Sequence, residues 1–303
     1  MPVGFGDRLA QRVAQRESQI VLGLDPDPAR LWPDAVQQAP AEGPPVRRAA
    51  SAVALHCAAL IDAAGPACVA VKPQLACFER LGADGWSVLA AVAAHARGAG
   101  LLVLADGKRG DISVSAAAYA QALVGSTPTP FGEVGGLGVD AFTANPLLGV
   151  DALEPLIGGA RAAGAGVFVL VRTSNPGAAD VEDLQLAGGE TVWERLAQIV
   201  ARLGQAGAQS GLADVGAVVG ATVPEHIARM RKLMPEAPFL MPGIGAQGGH
   251  VEELAPAFAA GRAGALVSAS RSIAAAHESH GGEPAAAARA AVERLREAAW
   301  ALS

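Results

Sequence analysis

The sequence predicts a (β/α)8 TIM barrel, an α/β fold of eight parallel strands with an N-terminal covering helix. Three observations predict it: eight short apolar, β-branched runs, alanine-rich amphipathic stretches between them, and a length of 303 residues that one such barrel fills. The apolar runs fall at 19–25, 68–74, 101–106, 139–144, 166–172, 215–221, 238–241 and 264–269. Strands buried on both faces read this way, because a parallel sheet covered by helices leaves neither face to water.

Along the chain, residues 5–17 form a first helix that covers the bottom of the barrel. The stretches 46–64, 84–98, 191–208 and 250–260 are amphipathic and long enough to carry the chain back between parallel strands. Residues 284–301 close the ring as the last helix. Proline-rich 32–45 and the segment 124–138, VGSTPTPFGEVGGLG, resist this regularity and read as surface loops without groups for chemistry. No repeat or domain break stands out, so residues 1–303 read as one domain.

Hydrophobic residues make up 51% and charged residues 17%, which provides a large core. The formal net charge of −6 is spread over interspersed acids and bases. No basic face is then available for polymeric nucleic acid or an anionic membrane. Cys57, Cys68 and Cys77 are odd in number, lie in apolar segments and lack metal-type spacing. They read as packed thiols of a reducing, cytoplasmic compartment. The N-terminus carries Asp7 and Glu17 among its arginines and has no apolar core of signal-peptide length. Residues 86–105 come nearest to a membrane span, but His95, Arg97 and glycines interrupt them, and helix followed by strand fits better.

Barrels of this kind place their active sites at the carboxyl ends of the strands. Six strand ends here deliver polar groups: Asp25 in LGLDP, Lys72 in VKPQ, Asp106, Lys108 and Asp111 in ADGKRGD, Ser174 in RTSNPG, Gln247 in PGIGAQGG, and Arg271 in SASRSI. Residues two apart on a strand face the same side, so Asp106 and Lys108 meet at the barrel mouth. The ammonium of Lys108 can then be held by Asp106 and Asp111. Lys72 completes an alternating array of two cations and two anions that a solvated rim does not need. The glycines of PGIGAQGG allow close backbone approach to an anion, and Arg271 adds a planar, permanently charged fork. Together they read as a phosphate grip.

LGLDP, VKPQ, ADGKRGDI, TSNPG, GIGAQGG and SRSI, in this order on successive strands, resemble the orotidine 5′-monophosphate decarboxylases, in particular their longer bacterial, mycobacterial-type branch. VKPQLACFERLG, NPLLGVDALEP and FVLVRTSNPGAADVEDLQ extend the resemblance over nearly the whole chain. The resemblance implies decarboxylation of orotidine 5′-monophosphate (OMP) at C6 to uridine 5′-monophosphate (UMP), the last step of de novo UMP synthesis. It implies no metal and no organic cofactor. Lys108 is implied to donate the proton, with Asp106 positioning it. Lys72 and Asp25 are implied to bind ribose hydroxyls, Ser174 the pyrimidine edge, and Gln247, Arg271 and the backbone at Ser270 the phosphate. Asp111 and Ser115 are implied to reach into the partner's site of a homodimer with two shared sites. Four apart at a helix start, they are expected to share one face. Ser115 stands where threonine is usual and keeps the hydroxyl. Leu147 stands where an aromatic is common and is expected to alter packing under the rim.

Two other readings compete. A metal-dependent sugar-phosphate decarboxylase or synthase of the same superfamily would keep D-x-K-x-x-D but use Mg2+, typically with an acidic residue at the end of strand two. Lys72 stands there and would repel a divalent cation. A catalytically silent nucleotide-binding barrel would need only the phosphate grip and Ser174, whereas every catalytic position is occupied. His56, His95, His226, His250, His277 and His280 have no partner acid at matching spacing, and Trp32, Trp86, Trp193 and Trp300 read as packing or surface residues.

Overall fold

A computed structural model describes residues 3–245 and 247–303. Its strands are Ile20–Leu24 (β1), Ala70–Pro73 (β2), Leu102–Arg109 (β3), Ser126–Thr129 (β4), Gly132–Gly135 (β5), Ala141–Ala144 (β6), Gly166–Arg172 (β7), Val215–Val219 (β8), Phe239–Met241 (β9) and Ala265–Ala269 (β10). Eight of them close a barrel in the order β1, β2, β3, β6, β7, β8, β9, β10, each parallel to its neighbours. The remaining pair, β4 and β5, is an antiparallel hairpin outside the barrel. All eight predicted runs hold a barrel strand, and β3 alone overruns its prediction, reaching Arg109.

Two apolar cores explain the absence of polar alternation. Val21, Leu102, Leu104, Phe168, Leu240 and Leu266 belong to one, together with Phe5, Leu9 and Val13 of the helix Phe5–Arg16. Their strand neighbours Leu22, Val103, Val167, Val169, Phe239 and Val267 belong to the other, packed with side chains such as Val53, Leu60, Leu89 and Leu156 of the surrounding helices. Successive residues therefore alternate between two dry environments rather than between core and water. The first helix enters the inner core through the Phe5 ring, edge-on to Phe168 at 5.9 Å. Gly166 makes this possible, since a Cβ there would lie 2.3 Å from the Phe5 ring. Full burial of Phe5 and Leu9 contributes roughly 1.5–3 kcal/mol each, enough to hold the helix against the barrel.

Four sequence expectations change. Segment 32–45 is not merely a loop: Pro33–Gln38 is a short helix, opened by a proline whose missing N–H costs nothing there. Trp32 beside it is buried, its backbone N–H donating to His56 Nδ1 and its indole to the Ala274 carbonyl. Segment 124–138 folds as the exposed β4–β5 hairpin with Phe131 at its tip. The helix expected over 191–208 is Val192–Leu203, started by a Thr191–Glu194 capping box and ended at Gly204, whose backbone is extended. Residues 251–260 wind as 3-10 turns, where Pro256 cannot supply the N–H of an α-helical bond.

Among the described residues, Pro45–Ala67 is the one helical segment long and apolar enough to cross a membrane, and 56% of that window is buried within the fold. Residues 86–105, the nearest candidate by sequence, divide between the helix Gly82–Gly98 and β3. His95 also differs from expectation: its ring Nε2 lies 2.7 Å from Asp62 of the neighbouring helix, a pairing that spacing along one segment cannot reveal.

Candidate active site

A cavity of about 460 Å³ opens at the carboxyl ends of the strands. Asp25, Lys72, Asp106, Lys108, Ser174, Gln247, Ser270 and Arg271 all line it. Asp106 is its electrostatic centre. Lys72 Nζ donates to Asp106 Oδ2 at 2.6 Å and Lys108 Nζ to Oδ1 at 2.7 Å. Lys72 and Asp106 are buried, while the Lys108 side chain is 44% exposed and faces the opening. The carboxylate thus bridges a mostly buried ammonium in the cavity wall and a more exposed one at the opening.

Burial alone would raise the Asp106 pKa, but the two ammonium groups outweigh it and hold the carboxyl well below its usual range. Burial likewise disfavours the Lys72 ammonium, and Asp106 and Asp25 overcome this to raise its pKa. Because the folded pKa of Asp106 is depressed, its stabilising contribution is present above the unfolded value and is lost as pH falls through the folded one. Urea titrations of wild type and Asp106→Asn should therefore differ by a constant unfolding free energy above about pH 5, and the gap should narrow below about pH 4. A gap that widened with acid would contradict this ion-pair arrangement.

Lys108 reaches Asp106 by an irregular route. Its backbone is left-handed at φ 46°, and the β3–β6 register shifts between Ala105 and Arg109. The regular two-residue alternation expected from the sequence therefore does not hold at Lys108, although the side chain arrives on the expected side. Asp111 and Ser115 depart further. The helix begins at Ser113, so Asp111 precedes it and the two do not share a helical face. The Asp111 carboxylate accepts from the Ile112 N–H, and neither residue lines this chain's own cavity. Within one chain, Lys108 is paired with Asp106 alone among the described residues. Leu147 is exposed at the rim rather than packed beneath it.

At the other end of the cavity, Ser174 Oγ donates to Gln247 Oε1 at 2.7 Å, linking the strand ends of β7 and β9. Positive φ at Gly243, Gly245 and Gly248 gives the intervening turn a path open to glycine. Arg271 lies exposed immediately after Ser270, and a Cβ at Gly23 would come within 2.7 Å of the Ser270 Cβ, so β1 and β10 converge closely at this point.

Several contributors escaped the sequence reading. Gln74 and Thr143 both donate to Asp106. Buried Arg172 forms a fork with Asp183 at 2.8 and 2.9 Å and donates to the Thr173 carbonyl, while Glu182 accepts from the Thr173 N–H at 2.8 Å. These bonds fold the segment after β7 back on itself and fix the backbone that carries Ser174. Burial raises the pKa of Glu182. The motif RTSNPGAADVED contained this trio, but nothing in its spacing indicated that the two acids return to the strand end.

The orotidine 5′-phosphate decarboxylase / HUMPS family matches residues 18–291. Orotidine 5′-phosphate decarboxylase of Deinococcus radiodurans is 42% identical over 280 residues, 89% of this chain and 88% of that protein. The protein of the same name from Rhodopirellula baltica is 40% identical over 281 residues, covering 90% and 89%. Among solved structures, Leishmania donovani OMP decarboxylase superposes with a TM-score of 0.71 at 31% identity, over 99% of this chain and 98% of that one. UMP synthase of the same organism gives 0.73 at 32% identity over 99% of this chain, which spans only 56% of the synthase.

Proposed function

The chain belongs to the orotidine 5′-phosphate decarboxylase / HUMPS family, and we propose that it decarboxylates OMP to UMP at the charge array centred on Asp106. It is a carboxy-lyase of pyrimidine biosynthesis. The observation that carries the site assignment is the single buried carboxylate bridging Lys72 and Lys108 at 2.6 and 2.7 Å.

When CO2 leaves C6, the bonding electron pair stays on that carbon without an adjacent electron sink. Lys108 stabilises the growing negative charge and then delivers the proton that takes the place of CO2. Asp106 aims Lys108, and its charge lies beside the departing carboxylate. Lys72 and Asp25 bind ribose hydroxyls, and Ser174 meets the pyrimidine edge, so ring identity is read by donor and acceptor matching. Gln247, Arg271 and the Ser270 backbone hold the phosphate. Binding so far from C6 lowers the barrier only if it drives closure and water exclusion around the reacting carbon. Orotidine without its phosphate should accordingly lose turnover as well as affinity, measured as kcat at saturation. Equal kcat with and without phosphate would refute this role.

The metal-dependent relatives are disfavoured by the donor set. Lys72 occupies the end of β2, where its ammonium, paired with Asp106, would repel a divalent cation. Asp111 and Ser115 complete the partner's site in a homodimer. Exposed Ile112 and Val114 beside them in the chain, and exposed Leu147 and Leu148 after β6, supply apolar surface for such a contact. Residues 1–303 act as one catalytic domain, and the unpaired thiols Cys57, Cys68 and Cys77 suit a reducing cytoplasm. The direct test adds OMP to purified protein in EDTA and follows loss of the orotate absorbance with CO2 release. No CO2, or activity only after Mg2+ is restored, would overturn the reading.

A further inference from the structure

We propose that Thr143, at the end of β6, is a positioning residue that sets both the backbone and the ammonium of Lys108; this rests on the decarboxylase reading above. Its side chain is buried, and its hydroxyl has two partners. The Lys108 N–H donates to Thr143 Oγ1 at 2.9 Å, and Thr143 Oγ1 donates to Asp106 Oδ1 at 2.9 Å. The directions are forced: a backbone N–H can only donate, so the single hydroxyl proton goes to the carboxylate.

The same Asp106 oxygen also receives the Lys108 ammonium at 2.7 Å. Thr143 therefore ties down both ends of one residue, its main-chain nitrogen and the acceptor that fixes its Nζ. The need for this tie is local. Lys108 lies at φ 46°, a conformation that L-residues with long side chains rarely adopt, where the β3–β6 register shifts. Thr143 supplies an acceptor for the Lys108 N–H at this irregularity. Valine at 143 would keep the shape, remove both bonds and leave that N–H unpaired.

Thr143→Val should lower kcat by about 10- to 100-fold, the range expected when a reacting group is misplaced by about an ångström. KM for OMP and Kd for UMP should stay within about threefold, because Thr143 borders the cavity but both bonds of its hydroxyl go to protein groups, which leaves valine to present the same shape to a ligand. Exchange of the UMP C6 proton in D2O, which runs the proton delivery in reverse, should slow in parallel. Thr143→Ser, which keeps the hydroxyl, should recover most of both rates. Unchanged kcat in Thr143→Val, or equal loss in Thr143→Ser, would overturn the inference. If Thr143→Val fails to fold, Thr143→Ala carries the same test, and failure of both while Thr143→Ser folds would assign the hydroxyl to stability alone. Wild type that does not decarboxylate OMP would defeat the functional reading itself, whereas active wild type with an indifferent Thr143→Val defeats only the positioning role.

Discussion

Lys108→Ala should bind UMP yet decarboxylate OMP at least about a thousandfold more slowly than wild type. The magnitude follows from charge separation. An ammonium about 4 Å from a developing anion, at an effective dielectric near 20, interacts by roughly 4 kcal/mol, or about three decades in rate. Loss of the proposed proton donor should add to that, since water must then supply the proton at C6. Lys72 holds the other oxygen of the Asp106 carboxylate by its own bond at 2.6 Å, so the rest of the array should survive the substitution. Single-turnover absorbance decay measures the chemical step, and UMP titration verifies the cavity. A variant within about tenfold of wild type would mean that another group protonates C6.

The features legible in the sequence are those in which local pattern and tertiary role coincide. Val21, Leu22, Val103 and Leu104 are apolar because each neighbouring pair divides between the inner and outer cores, so an unbroken apolar run marks a barrel strand. Asp25, Lys72, Asp106, Ser174, Gln247 and Arg271 lie where such runs end, which is why one rim could be assembled from motifs alone. Lys108 shows the limit of that reasoning. Its side chain arrives on the expected side through a left-handed residue at a register shift, a route that period-two alternation does not contain.

What remained hidden depends on partners distant along the chain. Thr143 is a small polar residue in an apolar strand, with nothing local to announce that it meets residues on β3. Glu182 and Asp183 look like an acidic surface turn until Arg172 and Thr173 are seen to receive them. The β4–β5 hairpin escaped for the opposite reason: both of its faces are exposed, so no apolar alternation was needed to stabilise it. Asp111 and Ser115 belong to a third category, since neither borders the cavity of the chain that carries it.

That exclusion gives the second large effect its form. If the sites are shared in an isologous dimer, as proposed above, each draws Lys108 from one subunit and Asp111 from the other, by the same two-fold operation. Lys108→Ala and Asp111→Ala homodimers then carry one lesion in every site and should both be severely impaired. A hybrid dimer distributes the lesions unequally: one site receives both substitutions, and the other pairs intact Lys108 with intact Asp111. Random exchange of equal amounts makes half of the dimers hybrid with one sound site in two, so the mixture should recover about a quarter of wild-type activity. A protein whose sites were complete within each chain would gain nothing on mixing. Differently tagged subunits, co-purified after exchange, establish that hybrids have formed. Activity that stays at the level of the two parents in that hybrid fraction would reject shared sites and return Asp111 to a surface role.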